Sequence, residues 1–244
     1  MIIKKQVIAG FNRGTTTYDQ VATLQATVAQ NLAIQLKNTI VPKRILEIGC
    51  GTGLFSQHLI HAFLNADICL IDISPAMIEH CRQRFADFPR VQLHCLDGEQ
   101  LHSLPCFDLI VSSMTFHWFE EIEKSLTEIK QKLTPNGSLF FSVLAENSFV
   151  EWRKLCEKMH VSVATPEFPS IGQLTKLFPQ LKIEIMKETY QNVNTFLRTL
   201  KLLGATASRA GHVPLSLANM RQIMQNFTEP MEITYEVVYG EYQA

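Results

Sequence analysis

The stretch Ile45-Leu46-Glu47-Ile48-Gly49-Cys50-Gly51-Thr52-Gly53 sets three glycines at alternate positions directly after a short apolar run, and Asp72 closes the next apolar run about twenty residues later. Glycine serves where a strand turns sharply into a helix and the backbone must take unusual dihedrals or approach a ligand closely. A carboxylate ending the following strand can accept two ribose hydroxyls. Together they predict a nucleotide-binding crevice. A dinucleotide fingerprint would read G-x-G-x-x-G, but counted from Gly49 its last glycine position holds Leu54. The pattern is E-x-G-x-G-x-G, so pyrophosphate binding is not favoured.

Outward from that turn, short β-like runs alternate with helical patterns, the signature of crossover units and a parallel sheet. Strands are predicted over 44 to 48, 68 to 72, 91 to 96, 107 to 112 and 138 to 144, with helices over 54 to 65, from Ser74-Pro75 onward, and over 122 to 133. Ser74 as N-cap followed by Pro75 at the first helical position is a specific start signal. After Leu144 the rhythm changes. Helical segments around 149 to 159, 171 to 177, 193 to 203 and 217 to 227 enclose an extended run at 183 to 190, and a last strand follows at 233 to 242. The expectation is one α/β domain over 1–244, a doubly wound, seven-stranded, mostly parallel sheet. It comprises an N-terminal helical arm (1–40, helical from 17 to 36), a core (41–144), lid helices with strand six (145–232) and a last strand (233–244).

The 244 residues are 46% hydrophobic and 18% charged, enough to bury a full core. A formal net charge of −1 gives no global field for nucleic acid or an anionic membrane, so any basic docking patch must be local. Lys4 and Lys5 are not followed by the apolar stretch of a signal peptide, and no run reaches roughly 18 consecutive apolar residues. The cytoplasm is the expected address. Six cysteines without a C-x-x-C pair read as reduced structural thiols, and no metal is expected.

The glycine spacing resembles motif I of class I S-adenosylmethionine-dependent methyltransferases, which have a Rossmann-like fold and whose glycine turn cradles the amino-acid end of a cofactor without phosphate. The resemblance implies a cofactor site of Gln25, Glu47, Gly49, Cys50, Gly51, Gly53, Asp72, Ile73, Met77, Asp97, Gly98, Glu99, Ser112 and Ser113. In it Asp72 would hold the ribose, Asp97 the adenine amine, Glu47 the methionine ammonium and Gln25 the methionine carboxylate. Each has a bland reading too: a solvated strand end for Asp72, a turn residue for Asp97, a satisfied strand-end carboxylate for Glu47, plain packing for Gln25. Met114 and Trp118 would wall the substrate. His117 is read as a hydrogen-bonded structural residue or a proton acceptor, and Tyr18 as a hydroxyl donor or a packing residue.

Features outside the core narrow the resemblance. Phe11-Asn12-Arg13-Gly14-Thr15-Thr16-Thr17-Tyr18-Asp19-Gln20, Phe196-Leu197-Arg198-Thr199-Leu200-Lys201-Leu202-Leu203-Gly204-Ala205-Thr206 and Ile233-Thr234-Tyr235-Glu236-Val237-Val238-Tyr239-Gly240 are similar to the arm, lid and last strand of the malonyl-acyl-carrier-protein O-methyltransferases of biotin synthesis. His117 stands where that family often has glutamine before the tryptophan. The resemblance implies methyl transfer from S-adenosylmethionine to the free carboxylate of a malonyl group, giving a methyl ester and S-adenosylhomocysteine. The malonyl group would ride on acyl carrier protein through phosphopantetheine, or on coenzyme A. A carboxylate, with a pKa of roughly 4, needs no base to attack at neutral pH. It does need donors once desolvated, and Arg198 and Lys201 are the candidates. From Thr195 to Phe227 the basic residues are Arg198, Lys201, Arg209 and Arg221, with no Asp or Glu, a local patch suited to an acidic carrier. The competing readings are a methyltransferase of another small carboxylate or of a quinone precursor, and a non-catalytic module that binds S-adenosylmethionine. Intact Gly49, Gly51, Gly53 and Asp72 stand against the last.

Overall fold

The computed structural model describes residues 3–36, 41–163, 165–207 and 216–244. Three helices come first, α1 (Lys4–Gly14), α2 (Tyr18–Val21) and α3 (Thr23–Gln35), and then the alternation that the glycine turn anticipates. Strand β1 (Arg44–Ile48) leads through that turn to α4 (Ser56–Ala62), β2 (Asp67–Asp72) to α5 (Pro75–Arg84), and β3 (Val91–Cys95) to β4 (Phe107–Ser113). A 3-10 turn (Phe116–Trp118), α6 (Ile122–Lys130) and β5 (Leu133–Leu144) complete the core. The rest is α7 (Val150–Lys158), α8 (Ile171–Leu177), β6 (Leu181–Tyr190), α9 (Val193–Leu202), α10 (Leu217–Asn226) and β7 (Met231–Gln243).

The seven strands form one sheet in the order β3-β2-β1-β4-β5-β7-β6, parallel except for β7, which runs antiparallel to both neighbours. β1 and β2 are buried at every position but their first, as strands covered on both faces must be. One face packs under α3, α4, α5, α7 and α9 through Val28, Leu59, Ile78, Trp152 and Phe196. The other packs under α6 and α8 through Leu126, Ile129 and Leu174. Strand order reverses between β1 and β4, so their carboxyl ends splay and leave a crevice. Among the described residues no helix is long and apolar enough to cross a membrane.

Two elements depart from the sequence reading. Helix α1 forms although Gly10 and Gly14 are poor helix formers. The reason is tertiary: a Cβ on Gly10 would stand 2.3 Å from the Gly204 oxygen, and one on Gly14 would stand 2.7 Å from the Gly204 nitrogen. Helix and lid approach backbone to backbone. Strand β5 begins before Pro135-Asn136-Gly137 rather than after it, because Asn136 takes φ 65° and the turn is absorbed as an irregularity between the Phe107 and Leu109 pairings.

Candidate functional site

The glycine turn after β1 is held open by its own dihedrals and by Thr115. Gly49 has φ +75°, and a Cβ there would lie 2.2 Å from Thr115 Oγ1. The Thr115 hydroxyl donates to the Gly49 carbonyl (3.3 Å), while the Gly49 and Cys50 amides donate to the Ile71 carbonyl at the end of β2 (2.8 and 3.0 Å). Asp72 completes this knot, its Oδ2 accepting from Gly51 N (2.9 Å) and its Oδ1 from Ser74 N (2.8 Å). Burial raises its pKa despite those two backbone donors. Each oxygen keeps a lone pair beyond the one already engaged, and the side chain borders the crevice.

Glu47 and Gln25 sit deeper. Glu47 is 1% exposed, and burial, with the Asp72 charge behind it, pushes its carboxyl up to about 8. Its Oε2 and the Gln25 Oε1 are buried with no hydrogen-bond partner. Two orphaned acceptors on the wall of one crevice call for a donor brought from outside, and a cation suits them best. Tyr18 stands close by, its phenol held protonated by burial and by the charges of Asp72 and Asp19.

The wall after β3 is occupied. Asp97 pairs with Lys4 of the arm, which also lies 2.6 Å from Glu99 Oε2. The Glu99 carboxylate further accepts from Glu120 N, Glu121 N and Ser125 Oγ, and so caps the start of α6. Burial alone would raise its pKa, but those donors and Lys4 outweigh it and hold it low. The crevice contains about 930 Å³ of empty space, part of it open to solvent.

Beyond Met114 and Trp118 lies a second chamber of about 1190 Å³, walled by Phe149, Trp152, Phe168, Leu197, Leu200 and Tyr235. Phe11, Tyr18, Gln25, Met114 and Trp118 border both spaces, so the two adjoin. Met114 reaches this junction with φ 56°, a left-handed backbone held by its amide donating to Ser142 O (2.9 Å). Among the described lining residues of the chamber there is no Lys or Arg.

Of the sequence-named cofactor residues, the crevice brings together Gln25, Glu47, Gly49, Cys50, Gly51, Asp72, Ile73, Met77, Asp97, Gly98, Glu99 and Ser113. Gly53 and Ser112 stand behind its wall. Gly53 packs under Phe85, and Ser112, fully buried, donates to the Ile48 carbonyl (2.9 Å) and ties β4 to β1. His117 lines the chamber, but burial drives its pKa down to about 3, which makes it a poor proton acceptor. Arg198 and Lys201 do not join the chamber: α9 turns Leu197 and Leu200 inward, so the residues following each point outward and are exposed. Arg221 is exposed as well, and Arg209 lies outside the described residues.

The sequence reading missed the arm's polar contacts. Asn12 Oδ1 accepts from Ser74 Oγ (2.7 Å) and Ala76 N (3.3 Å); Asp19 accepts from Thr52 Oγ1 (2.5 Å) and Arg84 (3.0 Å). Lys4, Thr52, Thr115 and Phe119 line the crevice without any local signal except the nearness of Thr115 to the end of β4.

Residues 46–139 match a family model described as a methyltransferase domain. The chain is 33% identical over 236 residues to a malonyl-[acyl-carrier protein] O-methyltransferase of Magnetococcus marinus, covering 92% of this chain and 87% of that protein. It is 34% identical to the biotin biosynthesis bifunctional protein BioCD of Bordetella avium over 98% of this chain, spanning 52% of that longer protein. Among solved structures, the N-methyltransferase NodS of Bradyrhizobium japonicum with S-adenosyl-L-homocysteine shares the fold, with a TM-score of 0.51 at 16% identity, over 89% of this chain and 84% of that one.

Proposed function

This chain belongs to the malonyl-[acyl-carrier protein] O-methyltransferase family, and we propose that it methylates the free carboxylate of a malonyl thioester carried on acyl carrier protein, priming a biotin precursor. The observation that carries this reading is the pair of adjoining spaces, one with two orphaned acceptors and one largely apolar, meeting at Met114 and Trp118. The methyl donor is S-adenosylmethionine, whose sulfonium supplies an electrophilic methyl group when bound.

The crevice fits that donor. Glu47 Oε2 lacks a donor, which an amino-acid ammonium provides, and Gln25 beside it offers its amide to the same end of the cofactor. Asp72, fixed by two backbone amides, presents its free lone pairs to the ribose hydroxyls. Asp97 faces the adenine end, where Lys4 now holds it. Phe11, Met114 and Trp118 confine the junction and exclude water. Methyl transfer to a carboxylate is an in-line displacement without proton transfer, so alignment and desolvation are the tasks left to the protein. A chamber without a strong base among its described residues suffices for it. Exposed Arg198, Lys201 and Arg221, on the lid helices α9 and α10, suit the acidic surface of a carrier protein better than its malonyl group.

The test is mass spectrometry of malonyl-acyl-carrier-protein incubated with the protein and S-adenosylmethionine, beside acetyl-carrier and malonyl-coenzyme A controls. A gain of one methyl on the malonyl carrier, and none on the acetyl carrier, is expected. Cofactor binding without any methylated acyl product would overturn the substrate assignment and leave the fold reading standing.

A further inference from the structure

A carboxylate entering the chamber leaves water for a space of aromatic and aliphatic walls, with no Lys or Arg among the described residues lining it. Some polar hydrogen must meet it there, since an unpaired carboxylate in such a setting is prohibitively costly. Tyr18 and Gln25 border the cofactor side, and Gln25 turns an acceptor inward. Glu188 and Tyr235 form the opposite wall. Tyr190 donates to Glu188 (2.5 Å) and shares a hydrogen bond with Tyr235 (2.7 Å), so that end already holds a negative charge and repels another.

His117 remains. It is 5% exposed, lines the chamber beside Trp118, and packs edge-on against Phe168 with ring centroids 5.6 Å apart. The Leu144 amide, at the last paired position of β5, donates to its Nδ1 (3.5 Å), which leaves this nitrogen as acceptor. A neutral imidazole with Nδ1 accepting carries its proton on Nε2. We propose that His117 is the residue that receives the substrate carboxylate, its Nε2–H donating to one carboxylate oxygen and so orienting the other toward the junction at Met114 and Trp118. Burial keeps the ring neutral, and a neutral donor orients a carboxylate without forming the tight ion pair that would blunt its attack. This assignment rests on the malonyl-carboxylate reading of the chamber.

The experiment compares wild type, His117→Gln and His117→Leu with malonyl-acyl-carrier-protein under saturating S-adenosylmethionine. Loss of one hydrogen bond to a charged group predicts a fall in kcat/KM of roughly 10- to 100-fold for His117→Leu, carried mainly by KM. His117→Gln, which keeps an N–H donor, stays within about threefold of wild type on the same ground. Affinity for S-adenosylhomocysteine by calorimetry stays unchanged in both. A His117→Leu variant as active as wild type, or a His117→Gln variant as impaired as His117→Leu, overturns the role and leaves His117 a packing residue. Should His117→Leu fail to bind S-adenosylhomocysteine, the wild-type imidazole nitrogen spectrum decides: the His117 Nε2 resonance moves when malonyl carrier is added to the S-adenosylhomocysteine complex, and an unmoved resonance overturns the proposal. Wild-type protein that binds the cofactor but methylates no malonyl carrier brings down the substrate reading and this role together. An active wild type with an indifferent His117→Leu brings down this role alone.

Discussion

The two walls of the cofactor crevice are built on different principles. The sheet wall, at the carboxyl ends of β1 and β2, is main chain knotted to itself and to two short side chains: the Gly49 and Cys50 amides on the Ile71 carbonyl, Asp72 on the Gly51 and Ser74 amides, Thr115 on the Gly49 carbonyl. The arm wall reaches the same region through single side chains, one for each loop. Asp19 takes Thr52 in the turn after β1, Asn12 takes Ser74 after β2, and Lys4 takes Asp97 after β3. A knot in which every bond ends on the main chain has one geometry and decides what binds. Three side-chain latches anchored on a glycine contact with α9 can release separately, and so decide how readily the crevice opens.

Breaking the sheet wall has the largest expected effect. Gly49→Val meets both a φ of +75° and a contact of 2.2 Å with Thr115 Oγ1. It abolishes S-adenosylhomocysteine binding by calorimetry, with the sheet preserved by circular dichroism. Glu47→Gln comes next and carries a pH signature. The Glu47 pKa rises from 4.5 to about 8 on folding, so between those values the folded chain holds a proton that the unfolded chain has lost. Stability from this group is therefore greatest below the unfolded value and falls as pH rises through about 8. A ligand ammonium needs the charged carboxylate, so binding at pH 6.5 releases a proton from wild type, seen by calorimetry in buffers of different ionisation heat. Glu47→Gln loses that release and binds roughly 10- to 100-fold more weakly. At pH 8 the empty variant melts higher, by about 2–4 °C for each kcal/mol of desolvation removed in a chain of this length. Binding without proton release in wild type would mean that Glu47 is already ionised in the empty crevice.

The contrast between the walls is also the contrast between what the chain announces and what it conceals. The sheet wall is local: glycines at alternate positions after Ile48 and a carboxylate closing the next strand place Glu47, Gly49 and Asp72 in one crevice, because parallel crossover units allow few other arrangements. The arm wall is a matter of distance along the chain. Lys4 meets Asp97 across 93 residues and Asp19 meets Arg84 across 65, and nothing in the spacing of either segment encodes the meeting. Helix α1 was illegible for the same reason, since Gly10 and Gly14 argue against a helix until Gly204 is known to lie against them. Arg198 and Lys201 show the converse case. Charge is visible in sequence, but the phase that turns Leu197 and Leu200 into the chamber and leaves those cations outside is set by packing.

Loosening the arm sharpens the comparison with a smaller effect. Gly204 ends α9 with φ +74°, the Ala205 amide closing on the Leu200 carbonyl (3.0 Å) and its own on the Lys201 carbonyl (3.1 Å), the hydrogen bonds of a Schellman cap. Gly204→Ala adds a Cβ 2.5 Å from the Gly10 oxygen. The variant keeps its core melting transition, and its arm is cut faster by limited proteolysis. S-adenosylhomocysteine affinity falls by roughly tenfold, about 1.4 kcal/mol, because alanine at a positive-φ site is strained and destabilises the arm contact. Unchanged proteolysis would show that the arm is held by its side-chain latches alone.

The smallest effect is predicted for Lys4→Met, and its sign is the informative part. Lys4 is pulled down by burial but raised on balance by its bonds to Asp97 and Glu99, so it is charged when it holds them. Its side chain is 26% exposed and that of Asp97 17%, a partly solvated pair of the kind worth about 0.2–1 kcal/mol. If Lys4 occupies the oxygen that the adenine amine needs, removing it strengthens S-adenosylhomocysteine binding by up to about fivefold. Added salt, which screens the pair, then tightens wild type more than the variant. If Lys4 instead closes the arm over bound cofactor, the same substitution weakens binding and salt weakens wild type. The direction of one calorimetric difference thus tells whether the first latch of the arm competes with the ligand or follows it, and Glu99, committed to α6 through Glu120, Glu121 and Ser125, stays in place in either case.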